Sequence, residues 1–344
     1  MISRTNNFDL IRLFAAFQVL ILHSTTHLEL TNQVNFYFLD LFPGVLMFFV
    51  MSGFLIMSSL DRNPDIRNYI TNRILRIFPG LYICSVLTLI LLLLFNIIQI
   101  YNLVDHPILT WIFAQSTFFQ FWTPDLLRPW GVGTPNGSLW TITVELQFYF
   151  ILPLLFLLFK KIRFIYKILV SAIFFGILNY YLQINTGSDE NILNKLLGVS
   201  FLPYINYFFT GVIIYLYWNK LKKFFEDKGL LWLIVFLGFC FVTSTKPSYH
   251  PENFEYFANF LLSGLTISCA FTYPHLGNVL KRNDISYGVY IYHMLVINSL
   301  VELGYKGKLN YLLVAITVTI FLGILSWFFV EKKALSFKKK INNS

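Results

Sequence analysis

Apolar positions in this chain fall into long blocks, each long enough for a membrane helix rather than a barrel strand. Ten candidate helices follow from the pattern, at approximately 8–25, 38–60, 77–99, 138–159, 164–182, 197–218, 229–245, 255–273, 285–303 and 310–330. Most reach the ~20 residues needed to cross ~30 Å of hydrocarbon. Residues 108–122 are also apolar but make a block of only 15. They are expected to form an interfacial or re-entrant element in a long external loop, roughly 100–137, punctuated by Pro107, Pro124, Pro129 and Pro135.

The polar segments between the blocks set the orientation. With the N-terminus inside, 20 of the 26 Lys and Arg fall in cytoplasmic segments: Arg4, then the groups 62–76, 160–167, 220–228, 281–282 and 332–340. Five, Arg128, Lys195, Lys246, Lys306 and Lys308, fall outside. This asymmetry supports ten spans with both termini cytoplasmic. Counting 108–122 as a span would reverse every later loop. The apolar run from Leu13 to Leu22 resembles a signal peptide, but no A-x-A site follows and Asp9 and Arg12 interrupt its front, so it is expected to stay as the first membrane helix. Residues 1–344 are expected to form one membrane domain, with 331–344 a basic cytoplasmic tail at anionic lipid.

Composition sharpens the class. Only 12% of the 344 residues are charged and 56% are hydrophobic, with a mean hydropathy of +0.63. Soluble proteins carry about 25% charged residues. The supply here is too small to cover a water-facing surface, which excludes an ordinary soluble enzyme, a disordered chain and a nucleic-acid module. The fold class is an all-α polytopic membrane protein. The net charge of +9 is then mostly a topology signal, and no nucleic-acid partner is expected. Cys84, Cys240 and Cys269 all lie in apolar runs, form no C-x-x-C pair and read as small core hydrophobes.

Ionisable residues inside apolar runs are expensive, so each is a candidate functional residue. Arg12 and His23 are eleven steps apart, three helical turns plus 20°, so they share one face about 16 Å apart along the axis. The pair suits a phosphate-binding cation at one end of a channel and a general base at the other. The plainer reading is a snorkelling arginine paired with Asp9 at i, i+3 and an interfacial histidine. Arg73 and Arg76 share a face at the cytoplasmic mouth; two forked guanidiniums suit a multiply phosphorylated ligand, although they also serve as a positive-inside signal. Glu145 lies two turns into a helix that Asn136 or Ser138 can cap, amid Val, Leu and Phe, and needs a polar or cationic partner. His293 falls mid-helix in S286-Y-G-V-Y-I-Y-H293, where a satisfied core histidine is the plainer reading. His27, His106, His250 and His275 show no metal-ligand spacing, and no metal is expected. G-x-S-x-G, P-loop and G-x-G-x-x-G signatures are absent, so a phosphate-bearing ligand would be held by arginines.

Together these elements resemble the acyltransferase-3 family of integral membrane acyltransferases. The carriers are F8-D-L-I-R12 with His23, F48-F-V-M-S-G-F54, R73-I-L-R76-I-F-P79, S138-L-W-T-I-T-V-E145-L-Q-F-Y-F and S286-Y-G-V-Y-I-Y-H293, in order from about residue 6 to 332. Leu10-Ile11 stand where the family commonly has a glycine. The resemblance implies about ten helices and transfer of an acyl group, usually acetyl, from cytoplasmic acyl-coenzyme A to a hydroxyl of an exported glycan. It implies Arg12, Arg73 and Arg76 in donor binding, and His23, Glu145 and His293 in catalysis. It implies the stand-alone type, without an appended extracellular domain, in the bacterial cytoplasmic membrane. The competing class is a secondary transporter or exporter of a glycan or organic anion, because buried Arg, His and Glu also build proton relays.

Overall fold

A computed structural model describes residues 6–158, 162–186, 191–281 and 283–341. The expected basic positions Arg4, Lys160, Lys161 and Arg282 lie outside the described residues, as do the side chains of Lys338, Lys339 and Lys340. Every regular element described is helical. The α-helices are α1 (Phe8–His27), α2 (Gly44–Arg62), α3 (Ile66–Leu94), α4 (His106–Gln115), α5 (Trp140–Leu157), α6 (Phe164–Thr186), α7 (Ile192–Gly198), α8 (Ile205–Leu216), α9 (Trp218–Phe225), α10 (Gly229–Thr243), α11 (Glu255–Phe271), α12 (Ser286–Glu302), α13 (Leu309–Ser326) and α14 (Lys332–Ile341). Short 3₁₀ turns and one π-helical turn, Trp327–Glu331, lie between them.

All ten expected segments are helical, but they are not ten equal spans. Among the described residues, six helical stretches are long and apolar enough to cross a bilayer, and α7 with Leu202–Leu216 makes a seventh if its 42° bend lies within one span. The segment expected as one helix over 197–218 breaks at Gly198 and Pro203, whose ring removes a backbone donor. α10, α11 and α12 are 15, 17 and 17 residues long. The apolar block at 108–122 becomes the 10-residue α4, about 15 Å long and too short to span. Trp111 of α4 packs with Leu92, Ile98, Leu127 and Trp130.

The chain divides into two compact units. The first comprises Met1–Ala15, Phe38–Tyr69 and Val144–Arg282. Its centre is α2: 83% of the apolar window of Tyr37–Arg62 is buried, against 11% for Phe164–Leu182. α2 and α8 meet backbone to backbone. A Cβ on Gly53 would fall 1.9 Å from the Phe208 carbonyl oxygen, and one on Gly211 would fall 2.1 Å from that of Val50. Helices that cannot rely on water to drive them together gain contact this way. Phe8, Phe54, Trp218 and Phe271 close the same unit as an aromatic cluster.

The second unit comprises Ala16–Tyr37, Ile70–Thr143 and Asn283–Ser344. It is built on α12, which is buried along most of its length. α12 and α13 touch at Gly288 and Gly323, where a Cβ on Gly288 would lie 2.7 Å from the Gly323 Cα. Leu28, Leu30, Val296, Leu300, Leu312 and Ala315 form the apolar cluster beside it.

Candidate active site

α1 is one uninterrupted helix carrying Arg12 near its start and His23 near its end. Arg12 Nη1 pairs with Asp9 Oδ1 at 3.5 Å, the i, i+3 pairing weighed from sequence. His23 meets a side chain 270 positions away. Its Nδ1 lies 2.9 Å from Nε2 of His293, with the ring centroids 5.1 Å apart. His293 is fully buried, and its Nδ1 lies 2.5 Å from the Tyr290 carbonyl oxygen.

These contacts determine the tautomers of two neutral rings. A carbonyl only accepts, so Nδ1 of His293 carries a proton and Nε2 carries a lone pair. The proton between the rings therefore belongs to Nδ1 of His23. His23 keeps its lone pair on Nε2, where it can receive a proton from a substrate. The chain of donors, His23 to His293 to a backbone carbonyl, is the logic of a base oriented by a second group that is itself held.

α12 is held from several sides, which places His293. At its start, Arg76 of α3 pairs with Asp284, and Asp284 also accepts from the Ser286 amide and hydroxyl. A carboxylate there satisfies an orphan amide and suits the positive end of the helix. Further along, Tyr287 Oη donates to the Ile77 carbonyl at 2.8 Å, and Cys84 Sγ lies 3.3 Å from the Ile291 carbonyl. Asn136 Nδ2 donates to that same carbonyl at 2.8 Å, and its Oδ1 accepts from Ser138 Oγ at 2.7 Å. Tyr290 Oη contacts Thr141 Oγ1 at 2.7 Å and donates to the Ser138 carbonyl at 3.1 Å. Near the far end, fully buried Asn298 accepts from the Val132 amide and donates to the Thr134 and Pro135 carbonyls.

Asn136 precedes the 3₁₀ turn Gly137–Leu139 without a side-chain capping bond, contrary to the expectation from sequence. The buried Asn136 amide is taken by the Ile291 carbonyl instead, and Ser138 by Asn136. Glu145 has the polar partners it required: Ser52 Oγ donates to its Oε1 at 3.1 Å, and Tyr149 Oη donates to the same atom. All three residues belong to the first unit, whereas the partner on the His23 ring is His293. Arg73 and Arg76 are both half-buried on α3, one turn apart. Arg76, expected to help bind phosphate, also holds Asp284.

Asp284, Tyr290 and Asn298 carry much of this architecture and were not singled out from sequence. The available signals were an acidic residue two positions before S286-Y-G and an asparagine inside an otherwise apolar run. Among the described residues, no group of three His, Cys, Asp or Glu side chains is placed to hold a metal ion.

Residues 5–331 match the acyltransferase domain of the acyltransferase-3 family. Nodulation protein 10 of Rhizobium leguminosarum bv. viciae is 33% identical over 351 residues, covering 98% of this chain and 95% of that protein. The O-acetyl transferase of Shigella phage Sf6 is 28% identical, covering 97% of each chain. The putative peptidoglycan O-acetyltransferase YrhL of Bacillus subtilis (strain 168) is 26% identical over 94% of this chain, which spans 54% of its length. No solved structure matches. With a family match over nearly its whole length, and a relative of the same extent named an O-acetyl transferase, this chain belongs to the acyltransferase-3 family and is a membrane-helical O-acyltransferase.

Proposed function

We propose that this enzyme moves an acyl group, in the first instance acetyl, from cytoplasmic acyl-coenzyme A to a hydroxyl of a cell-surface or exported glycan. It does so as a multi-pass protein of the bacterial cytoplasmic membrane, with ten spans and both termini inside. The observation that carries the reading is the His23–His293–Tyr290 chain, because it leaves one imidazole nitrogen as a base. The acceptor hydroxyl gives its proton to Nε2 of His23 as its oxygen attacks the thioester carbonyl. The C–S bond then breaks, and the departing thiolate takes that proton back from His23. A positioned base of this kind contributes ~10²–10⁴-fold. His293 does not touch the reacting atoms; it fixes the tautomer of His23 and shares the positive charge that forms there.

Arg73 and Arg76 are the proposed contacts for the phosphates of the donor, through charge-assisted bidentate bonds. Arg12 joins them in that role on its family position, three turns before His23 on α1. Glu145, with its carboxylate on Ser52 and Tyr149, is given no step in this reaction. The name of the Bacillus relative supports a glycan acceptor of the peptidoglycan kind.

The test is His23→Ala and His293→Ala at matched expression, with mass spectrometry counting ester-linked acyl groups on the surface glycan. Both variants are expected to lose acylation; normal acylation in both ends the proposal. Purified protein supplied with acetyl-coenzyme A should release thiol in a His23-dependent way. Protein-dependent solute flux without thiol release would replace the enzyme with a transporter.

A further inference from the structure

The first unit contains a cavity of about 390 Å³ that the proposed chemistry does not use. It lies between the second half of α6, the start of α8, the loop before α11 and the first half of α11. Its volume is in the ~300–1,000 Å³ range of small-molecule sites. In the proposed topology all four walls are the external ends of their segments.

The lining identifies a class of ligand. Among the described residues that line it, none is charged. The cavity is walled by aromatic rings, including Tyr180, Tyr249, Tyr256 and Phe260, and by the amides Asn179, Asn206 and Asn259. A coenzyme A phosphate would need cations that this lining lacks. A hydrocarbon would desolvate the amides without returning a hydrogen bond. A neutral sugar satisfies both parts: its C–H faces lie on aromatic rings, and its hydroxyls meet amides.

Two of the larger polar side chains are committed to each other and to the loop wall. Asn259 accepts from the Ser248 amide at 3.0 Å and donates to the Ser248 carbonyl at 3.0 Å and to Tyr207 Oη at 2.5 Å. Tyr207 Oη donates to the same carbonyl at 2.8 Å. These two side chains hold the loop wall in place. Asn179 Oδ1, on the α6 wall, is buried and has no hydrogen-bond partner. A buried acceptor left unpaired is destabilising, so it calls for a donor. We infer that this cavity binds a neutral sugar unit of the acceptor glycan, with Asn179 Oδ1 accepting from a sugar hydroxyl or acetamido N–H and the tyrosine rings carrying its faces. The inference rests on the acyltransferase reading for the word "acceptor", but not for binding itself.

The experiment uses the full chain in lipid nanodiscs, with the N-acetylglucosamine tetramer and cellotetraose as neutral probes and tetragalacturonate as the charged control. Saturable binding of at least one neutral probe is expected without any donor present, together with at least tenfold weaker binding in Asn179→Ala and in Tyr256→Ala. The Tm of Asn179→Ala should be unchanged or raised, since the substitution deletes an unpaired buried carbonyl. A structural role for Asn179 predicts the opposite, a lowered Tm. No saturable binding of either neutral probe, unchanged binding in both variants, or equal binding of tetragalacturonate overturns the inference. Sugar binding that obeys these expectations without acetyl transfer would leave the site standing and remove the activity; transfer with an acceptor KM indifferent to both substitutions would do the reverse.

Discussion

His23 Nδ1 donates to Nε2 of His293, 2.9 Å away, and His293 in turn donates from Nδ1 to the Tyr290 carbonyl. The direction follows from the last member alone, since a carbonyl has no proton to give. His293→Ala removes the acceptor that keeps the Nδ1 proton in place, so Nε2 of His23 is no longer held as the base. The expected result is a fall in kcat of ~10²–10⁴-fold with the KM for acyl-coenzyme A nearly unchanged. His23→Ala should fall as far, and the double variant little further, because the two rings act as one unit. Steady-state thiol release on purified protein measures all three. Additive losses would mean that the rings act independently.

Much of this site was legible because a membrane makes ionisable residues conspicuous. His23, Glu145 and His293 stand out in apolar runs, and Arg12 and His23 share a helix face by arithmetic alone. What joins His23 to His293 is a tertiary contact across 270 positions, and no local pattern encodes it. Asp284 follows Lys281, Arg282 and Asn283 and reads as one more loop polar residue, although it holds the start of α12. Hydropathy also misplaced helix ends. α3 begins at Ile66, well before its apolar part at 77, because backbone hydrogen bonding does not require apolar side chains and Arg67, Arg73 and Arg76 are good helix formers. The run over 197–218 read as one span because its apolar content outweighed Gly198 and Pro203, the residues at which it breaks.

Arg73 and Arg76 should separate experimentally. Arg73→Ala is expected to raise the KM for acyl-coenzyme A about tenfold, the effect of losing roughly 1.4 kcal/mol of ligand contact, with little change in Tm. Arg76→Ala should raise that KM and also lower Tm, because it strands Asp284, which is only 5% exposed. Leaving one member of a buried pair alone costs about 3 kcal/mol. Asp284→Asn combined with Arg76→Ala should recover part of the Tm without recovering the KM. Equal Tm losses for both arginine variants would assign both a structural role.

Cys84 sits beside the site but is expected to be silent. It is fully buried, with Sγ on the Ile291 carbonyl and 3.5 Å from Asn136 Nδ2. A thiol enclosed in this way is inaccessible to reagent and is not activated as a nucleophile. Cys84→Ala should keep at least about a fifth of wild-type kcat, since a small cavity costs ~1 kcal/mol at most. Maleimide labelling of the folded protein in nanodiscs, read by mass spectrometry, should leave Cys84 unmodified. Loss of all transfer in Cys84→Ala, with Tm maintained, would point to an acyl-thioester on the enzyme.

The two glycine contacts should respond differently to the same added methyl group. Gly53 faces the Phe208 carbonyl across α2 and α8, and a Cβ there would stand 1.9 Å from a backbone oxygen. No side-chain rotation relieves that clash, so the helices must separate; Gly53→Ala is expected to cost about 1–3 kcal/mol, read as a lowered Tm. Gly288 is less crowded, at 2.7 Å from the Gly323 Cα, but it lies on α12 five residues before His293. A shift of α12 by a few tenths of an ångström is enough to lengthen the 2.9 Å bond between the imidazoles. Gly288→Ala should therefore lower kcat by more than its Tm change implies, and Gly323→Ala should do the same from the α13 side. Activity measured well below Tm, with both proteins fully folded, distinguishes this from simple destabilisation. If kcat there equals wild type, the spacing between α12 and α13 does not reach the histidine pair.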